Sequence, residues 1–225
     1  MTENDEQPVV SLEPRWPMAL TVLCFIAITI TLRVLQPKRE SVGPPWLVPA
    51  VEIAMLLALL AANPAHIQER RRWLRRVAIG LIFALGAAAL WSTIVLVTDL
   101  IDGGQVTQSA SSLLASGALI WLGNALVFSL IYWIFDTGGP WLRYKGTRRY
   151  PDFAFAQQMS PELVPPGWRP MYVDYLVLGV NTSAAFSPTD VMPLARWAKL
   201  AMSLQSLLSL TVVALVVARA VNAFT

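Results

Sequence analysis

The chain has 225 residues, of which 56% are hydrophobic and 14% are charged, whereas soluble domains have about 45–50% and about 25%. The apolar residues fall in long blocks, which excludes an ordinary soluble domain and predicts an integral membrane protein. The net charge of +3 does not indicate nucleic acid, because the cations lie at the ends of the apolar blocks. The single cysteine, Cys24, excludes an intramolecular disulfide and a cysteine-based metal cluster.

Five apolar segments approach or exceed the length of about 20 residues that a transmembrane helix needs. They are residues 17–36, 46–62, 77–98, 112–135 and 198–224. We therefore predict an all-α fold, a polytopic helix bundle with five transmembrane helices and one additional short helix. The acidic N-terminal tail lacks the basic region of a signal peptide, so we expect the first helix to remain in the mature protein.

The whole chain, 1–225, is expected to form a single membrane domain. Its parts are an acidic tail (1–15), four transmembrane helices (17–135), a loop rich in proline, aromatic and basic residues (137–170), and a hairpin with the final helix (171–225). The loop 137–170 cannot cross lipid, because its backbone polar groups would stay unpaired there. We expect its aromatic residues to lie at the level of the lipid headgroups, and the alternative is a lipid or partner site.

The distribution of Lys and Arg predicts the orientation, because short cytoplasmic loops are enriched in these residues. With the N-terminus in the cytoplasm, eleven cations of the tail and loops before residue 171 fall inside and three fall outside. The three outside are Arg33, Lys38 and Arg39. We expect a multi-pass protein of a bacterial inner membrane with a cytoplasmic N-terminus.

The expected partners follow from the same pattern. The lipid bilayer is the first, and a homo-oligomer is a second candidate. Anionic lipid headgroups are a third, because two loops concentrate cations. The cations that would bind them are Arg70, Arg71, Arg72, Arg148 and Arg149. No nucleic-acid partner is expected.

The segment 171–187, "MYVDYLVLGVNTSAAFS", is apolar and helix-like but only 17 residues long. It is either a half-helix that enters the membrane and returns to the same side, or a span of marginal length. Asp174 suits the first turn of this helix, where a carboxylate complements the helix dipole. Pro188 and Pro193 prevent a continuous helix from this segment into the last span.

The order of a short helix, a threonine-containing turn, "PTDVMPLAR" (188–196) and a long final helix resembles the pore loop and inner helix of two-helix potassium channels. That family reads Thr-x-Gly-Tyr-Gly-Asp at the turn. Here Thr182 takes the first position and "SAAFS" (183–187) follows. The resemblance implies a pore loop within 171–225, without the glycine filter. The stretch is also similar to bacterial multi-helix membrane proteins of uncharacterised function, which implies a fold and no activity.

Small hydroxyl residues and one acid are concentrated at the turn after this short helix. We hypothesise that they gather at the tip of a membrane-inserted hairpin and coordinate a small cation or water, with two polar residues of the last helix facing them. The alternative is a tight turn whose hydroxyls and acid cap the final helix. The candidates are Thr182, Ser183, Ser187, Thr189, Asp190, Gln205 and Ser209.

Glu52 is a second kind of candidate, because a carboxylate within an apolar segment is costly unless it is protonated, paired or hydrated. It is either a functional site, a residue close to the headgroups, or a partner of Arg33 or Arg219. No catalytic motif is present, so we expect no enzyme activity and no cofactor. His66 is the only histidine, and no metal site is expected.

The function expected from the sequence is that of a channel-like or transport-related protein, with a cation as the candidate substrate. The alternative is a structural, regulatory or lipid-interacting membrane protein without transport activity.

Overall fold

The computed structural model describes residues 14, 16–35, 50, 53–54, 57, 72–102, 110–146, 150–187 and 190–224. This part of the chain is mostly helical. Its helices of four residues or more are α1 (Trp16–Leu35), α2 (Arg72–Asp102), α3 (Ala110–Phe135), α4 (Pro140–Lys145), α5 (Ala156–Met159), α6 (Tyr172–Ala185) and α7 (Arg196–Phe224). Short 3₁₀ turns cover Asp136–Gly138 and Pro161–Leu163, and two strands, β1 (Phe153–Phe155) and β2 (Val191–Pro193), pair antiparallel.

Four helical segments of the described residues are long and apolar enough to cross a membrane. They are Trp16–Leu35, Arg76–Ile101, Ser111–Lys145 and Arg196–Val221. These agree with four of the five predicted spans. The remaining predicted span, 46–62, lies almost wholly outside the described residues. Within it the structure describes Ala50, Ile53, Ala54 and Leu57, and these four are helical. The all-α class is confirmed, and the number of spans stays a prediction.

Helix α3 forms the centre of the bundle. In its most apolar stretch 67% of the residues are buried, against 28–33% in the three other candidate spans. Helices α1, α2, α6 and α7 all pack on it. Every residue from 123 to 130 is buried, as expected for a helix that is apolar on all sides and surrounded by others.

The core changes in character along the bundle. Around the end of α3 that leads to residue 136 it is aromatic, and its fully buried side chains include Tyr132, Trp133, Phe153, Tyr172 and Tyr175. Towards the opposite end it is aliphatic, with leucine and valine from α2, α3 and α7. We call the aromatic end the root, because α6 and α7 both begin there.

Helix α6 starts at the root and runs back into the bundle, antiparallel to α3. Tyr175, in its first turn, contacts Phe153 and Phe155 with ring centroids 6.5 and 5.3 Å apart. Ser183, two turns later, accepts a hydrogen bond from Trp121 at its carbonyl, and Trp121 is in the middle of α3. The 14 residues of α6 extend for about 21 Å, which is less than the hydrocarbon core of about 30 Å.

The chain then returns to the root. Phe186 ends α6 in the left-handed conformation with φ 56°, and Val191 in β2 pairs with Phe155 in β1. Since Phe155 also contacts Tyr175, the beginning of α6 and the strand after it lie at the same end of the bundle. The chain therefore returns to the end of the bundle at which α6 begins, and that this segment enters a membrane stays a prediction. We call α6 with residues 186–193 the hairpin.

The loop 137–170 is more ordered than the sequence indicated. It contains α4, β1 and α5, and β1 supplies half of the small sheet, which the sequence did not predict. Trp168 packs against Phe155 at 6.2 Å between ring centroids, whereas Tyr150 is exposed. The expected aromatic anchoring at the headgroups therefore suits Tyr150 better than Trp168.

Candidate functional site

Asp136 organises the root of the hairpin. It directly follows α3 and is 1% exposed. Its Oδ1 accepts hydrogen bonds from the Thr137 hydroxyl at 2.9 Å, the Asp152 N–H at 3.1 Å and the Phe153 N–H at 3.3 Å, and its Oδ2 accepts one from the Tyr175 hydroxyl. One buried carboxylate thus joins the end of α3, the start of β1 and the first turn of α6.

Asp152 completes this connection. Its carboxylate accepts the Thr137 N–H at 2.8 Å, and its backbone carbonyl accepts the N–H groups of Leu194 and Ala195. Leu194 and Ala195 lead directly into α7. The residues before both α6 and α7 are therefore tied to the same end of α3.

Two arginines close the root on its outer side. The Arg143 guanidinium donates to the carbonyls of Trp133 and Asp136 at 2.7 and 2.9 Å, and lies 4.9 Å from the centroid of the Tyr175 ring. It therefore caps the C-terminal end of α3, where positive charge is favourable. Arg169 donates to the Tyr144 carbonyl. Both guanidinium groups therefore donate hydrogen bonds to backbone carbonyls of this chain.

Asp174 caps the start of α6, as the sequence predicted. Its carboxylate accepts the Met171 N–H at 2.7 Å. Burial raises the pKa of the Asp174 carboxyl above its ordinary value, the hydrogen bond from Met171 opposes this, and the negative charge of Asp190 adds to it. Asp190 therefore lies near the start of α6, at the root.

Gln205 is the centre of a second polar cluster, inside the bundle. Its side-chain N–H₂ donates to the Gly179 carbonyl at 2.6 Å and to Ser183 Oγ at 2.7 Å, and its carbonyl accepts from the Tyr132 hydroxyl. Gln205 belongs to α7, Tyr132 to α3, and the two acceptors to α6. This one amide joins three helices, and both of its NH₂ hydrogens and its carbonyl have partners.

Helix α6 lies unusually close to α3 at Gly179. A Cβ atom at this position would be 2.1 Å from Ser129 Oγ and 2.8 Å from the backbone carbonyl oxygen of Ala125. Ser129 itself donates to Ala125 at 2.7 Å and reaches Leu176 at 3.5 Å. The close approach depends on glycine, in the way that small residues let membrane helices pack closely.

The structure brings together only part of the predicted site. Thr182, Ser183, Gln205 and Ser209 are all fully buried, and the expected contact between the last helix and the short helix is present at Gln205 and Ser183. Ser187 and Asp190 are exposed. The described members of the predicted site do not all gather at one tip, because Asp190 lies near the start of α6, next to β2 at the root.

Several predicted residues lie outside the described part of the chain. They are Glu52, Thr189, Arg70, Arg71, Arg148, Arg149 and the side chain of Arg72. Asn124, within the described part, donates to Thr93 Oγ1 at 2.9 Å and so joins α3 to α2. It is an interhelical hydrogen bond of the kind that polar residues make in membrane bundles.

Sequence reasoning missed Asp136, Tyr132 and Trp121. Asp136 had a signal, because it is a single acid between a long apolar run and the turn "TGG". Thr137 and the two glycines after it all have positive φ, which fits a sharp change of direction. Tyr132 and Trp121 had no signal of their own, because aromatic residues are common in apolar helices.

Within the described ranges, no group of three or more His, Cys, Asp or Glu side chains could hold a metal ion. Apart from the Asp136 carboxylate, the buried side-chain oxygen atoms of the described residues belong to hydroxyls and amides. Comparisons with protein-family models, with curated proteins and with solved structures found no match to this chain.

Proposed function

We propose that this chain is a channel-like or transport-related protein of a bacterial inner membrane, and that the hairpin is its functional element. The observation that carries the proposal is the path of α6. It begins at the root and runs beside α3 and α7, and the chain after it is back at the root by β2. The hydroxyls of Thr182 and Ser183 are thereby buried among the long helices, whereas residues 184–187 at the helix end are exposed. Such half-helices are typical of proteins that handle ions or small solutes in membranes.

The proposal includes five spans with the N-terminus in the cytoplasm. With this orientation the root lies on the cytoplasmic side, as the Lys and Arg of its loops require. The order of short helix, return and long final helix supports the resemblance to a pore loop with its inner helix. The expected substrate is a cation, because hydroxyl and carbonyl oxygens face the interior.

A structural or regulatory role without transport is the second candidate. The observation that favours it is that the oxygen and the nitrogen of the Gln205 side-chain amide both have hydrogen-bond partners within the protein. These bonds hold three helices together and leave the amide no group for a ligand. A lipid-interacting role would use the basic loops, and it stays a prediction.

Cation flux from proteoliposomes tests the proposal. Liposomes that contain the purified protein should release K⁺, Na⁺ or Rb⁺ faster than liposomes without it. Thr182→Val should reduce this flux. Thr211→Val is the matched control, because Thr211 is exposed on the outer face of α7. If the parent conducts none of these cations above the empty liposomes over a range of pH, transport is excluded for them and the structural role is favoured.

A further inference from the structure

Helix α7 has two distinct sides, and two cations lie on the outer one. Every third or fourth residue from 198 to 220 is buried, and these residues form the side that packs on the bundle. The opposite side is exposed and mainly apolar. We call it the outer stripe, and its large residues include Leu200, Leu204, Leu207, Leu210, Val217 and Val221. Arg196 and Lys199 are also exposed and lie at the beginning of the outer stripe.

The spacing of the charges along α7 agrees with the thickness of a bilayer. Between Lys199 and Arg219 the helix has no charged residue. This stretch rises by about 30 Å, which equals the hydrocarbon core of about 30 Å. When α7 crosses the membrane, Arg196 and Lys199 therefore lie at the level of the headgroups on the side of the root. Leu200 then begins the part of the outer stripe that meets acyl chains.

The protein does not neutralise these two cations. Neither the Arg196 nor the Lys199 side chain has a hydrogen bond or an ion pair with another residue of the described ranges. Arg143 and Arg169, at the same end of the bundle, instead donate to backbone carbonyls. The first turn of α7 contains no acidic residue. Arg196 and Lys199 are therefore available to an external anion.

Two cations at the start of a helix are unfavourable by themselves. The N-terminal end of a helix carries a partial positive charge, which favours acids and disfavours Lys and Arg. Arg196 is the first residue of α7, and Lys199 belongs to its first turn. Residues three apart are neighbours on a helix surface, so the two positive charges also repel each other. An anion that contacts both side chains would offset these costs.

We propose that Arg196 and Lys199 bind the phosphate of an anionic phospholipid, whose acyl chains lie along Leu200, Leu204 and Leu207. Arginine binds phosphate with two hydrogen bonds, and lysine adds a compact charge. The apolar residues beside the cations favour a lipid over a soluble anion, because only a lipid contacts both parts of the surface. The inference goes beyond the proposed function, since it does not depend on transport, and its residues differ from those of the basic loops.

Quenching of a fluorophore by brominated lipids tests the site. The fluorophore is attached to the new cysteine of a Ser203→Cys, Cys24→Ala protein, because Ser203 is exposed on the same side of α7, one turn beyond Lys199. The protein is reconstituted in mixtures of phosphatidylcholine and phosphatidylglycerol, with bromine on the acyl chains of one lipid or the other. We expect phosphatidylglycerol to bind beside the fluorophore at least about fivefold more strongly than phosphatidylcholine.

The controls separate this site from a general preference for anionic lipid. Cys24 is exposed on α1, and a fluorophore there should show nearly equal binding of the two lipids. Replacing both cations, Arg196→Gln with Lys199→Gln, should abolish the preference at position 203, whereas Arg196→Lys should retain most of it. Arg219→Gln is the control on the same helix, because no Lys or Arg lies within four residues of it. It should leave the preference unchanged.

The double variant should fold normally, because neither side chain has a partner among the described residues. In phosphatidylcholine alone it should unfold at the temperature of the parent or above it. Four results would overturn the inference. They are equal binding of the two lipids at position 203, an equal preference for phosphatidylglycerol at positions 24 and 203, a preference that persists in the double variant, and no quenching at 203 by either lipid. The last result would mean that protein, such as a second copy of the chain, covers the outer stripe.

Discussion

At the scale of single residues, Gly179 decides how closely α6 can approach α3. The Cβ of an alanine would be 2.8 Å from a backbone oxygen of α3, and backbone cannot move aside as the end of a flexible side chain can. We expect Gly179→Ala to destabilise the protein by about 1–3 kcal/mol, as overpacking does elsewhere, and to weaken the Gln205 contacts to α6. Thermal unfolding in detergent measures the loss.

Gly80→Ala is the matched control for this prediction. Gly80 lies in the first third of α2, and a Cβ there would have no atom of the described residues within 4 Å. Alanine should be neutral or stabilising by up to about 1 kcal/mol, since glycine is a poor helix former. A Gly179→Ala protein as stable as the Gly80→Ala protein would mean that α6 does not pack on α3 as closely as described.

Single residues could be predicted where they follow a local rule. Gln205 and Ser209 are four apart, which puts them on one helix face, and Asp174 begins an apolar run, which fits a first-turn acid. The role of Asp136 could not be derived, because its partners Asp152, Phe153 and Tyr175 are 16–39 residues away along the chain. Nothing in a local pattern indicates which distant N–H groups a carboxylate will accept.

At the scale of elements, the hairpin depends on the contacts that fix its two ends at the root. Its predicted extent, 171–187, agrees closely with helix Tyr172–Ala185, because apolar periodicity and flanking prolines define it. The strands could not be predicted, since each has three residues and pairs with the other across 35 intervening residues. The position of Asp190, which directly precedes β2, follows from that pairing.

We expect Asp136→Ala to release the hairpin from α3. The substitution leaves the N–H groups of Asp152 and Phe153 and the Tyr175 hydroxyl without their acceptor, at a cost of about 1–3 kcal/mol for each group that stays buried. Thermal unfolding should show a loss of this size, and proteolysis between β1 and α6 should become faster.

Glu162→Ala is the control for Asp136→Ala, because Glu162 is an exposed acid in the loop that follows Asp136. It should change neither thermal stability nor proteolysis. An Asp136→Ala protein that unfolds and is cleaved like the Glu162→Ala protein would show that the carboxylate is not what holds the hairpin.

At the scale of the whole molecule, composition and the length of apolar blocks were sufficient for the all-α class and for four helices long and apolar enough to span a membrane. They were insufficient for the central position of α3, because all the long helices are similarly apolar and only packing distinguishes them. They also left open whether 171–187 returns or crosses, since 14 to 17 residues suit either. The contacts of Tyr175, Phe155 and Val191 decide this, and none of them is local.

The last prediction concerns the sides of the membrane on which the ends of the hairpin lie. Leu163 and Met192 precede and follow the inserted part of α6, and both are exposed. In a Cys24→Ala background, cysteines at 163 and 192 should react with an impermeant thiol reagent from the same side. We expect this side to be the cytoplasmic one, so that labelling occurs in inside-out vesicles and not in spheroplasts. A cysteine replacing Gln105, in the loop expected outside, should show the opposite pattern.

Labelling at the three positions tests two claims separately. The first is that both ends of the hairpin lie on the same side of the membrane, and the second is that this side is the cytoplasmic one. Labelling of 163 and 192 from opposite sides would mean that α6 crosses the membrane, and the hairpin would be excluded together with the functions built on it. Labelling of both from outside, with position 105 inside, would keep the hairpin and reverse the whole molecule. That second outcome would place the entrance of the hairpin on the outer face, as in the pore loops of potassium channels, and would contradict only the orientation derived from eleven cations against three.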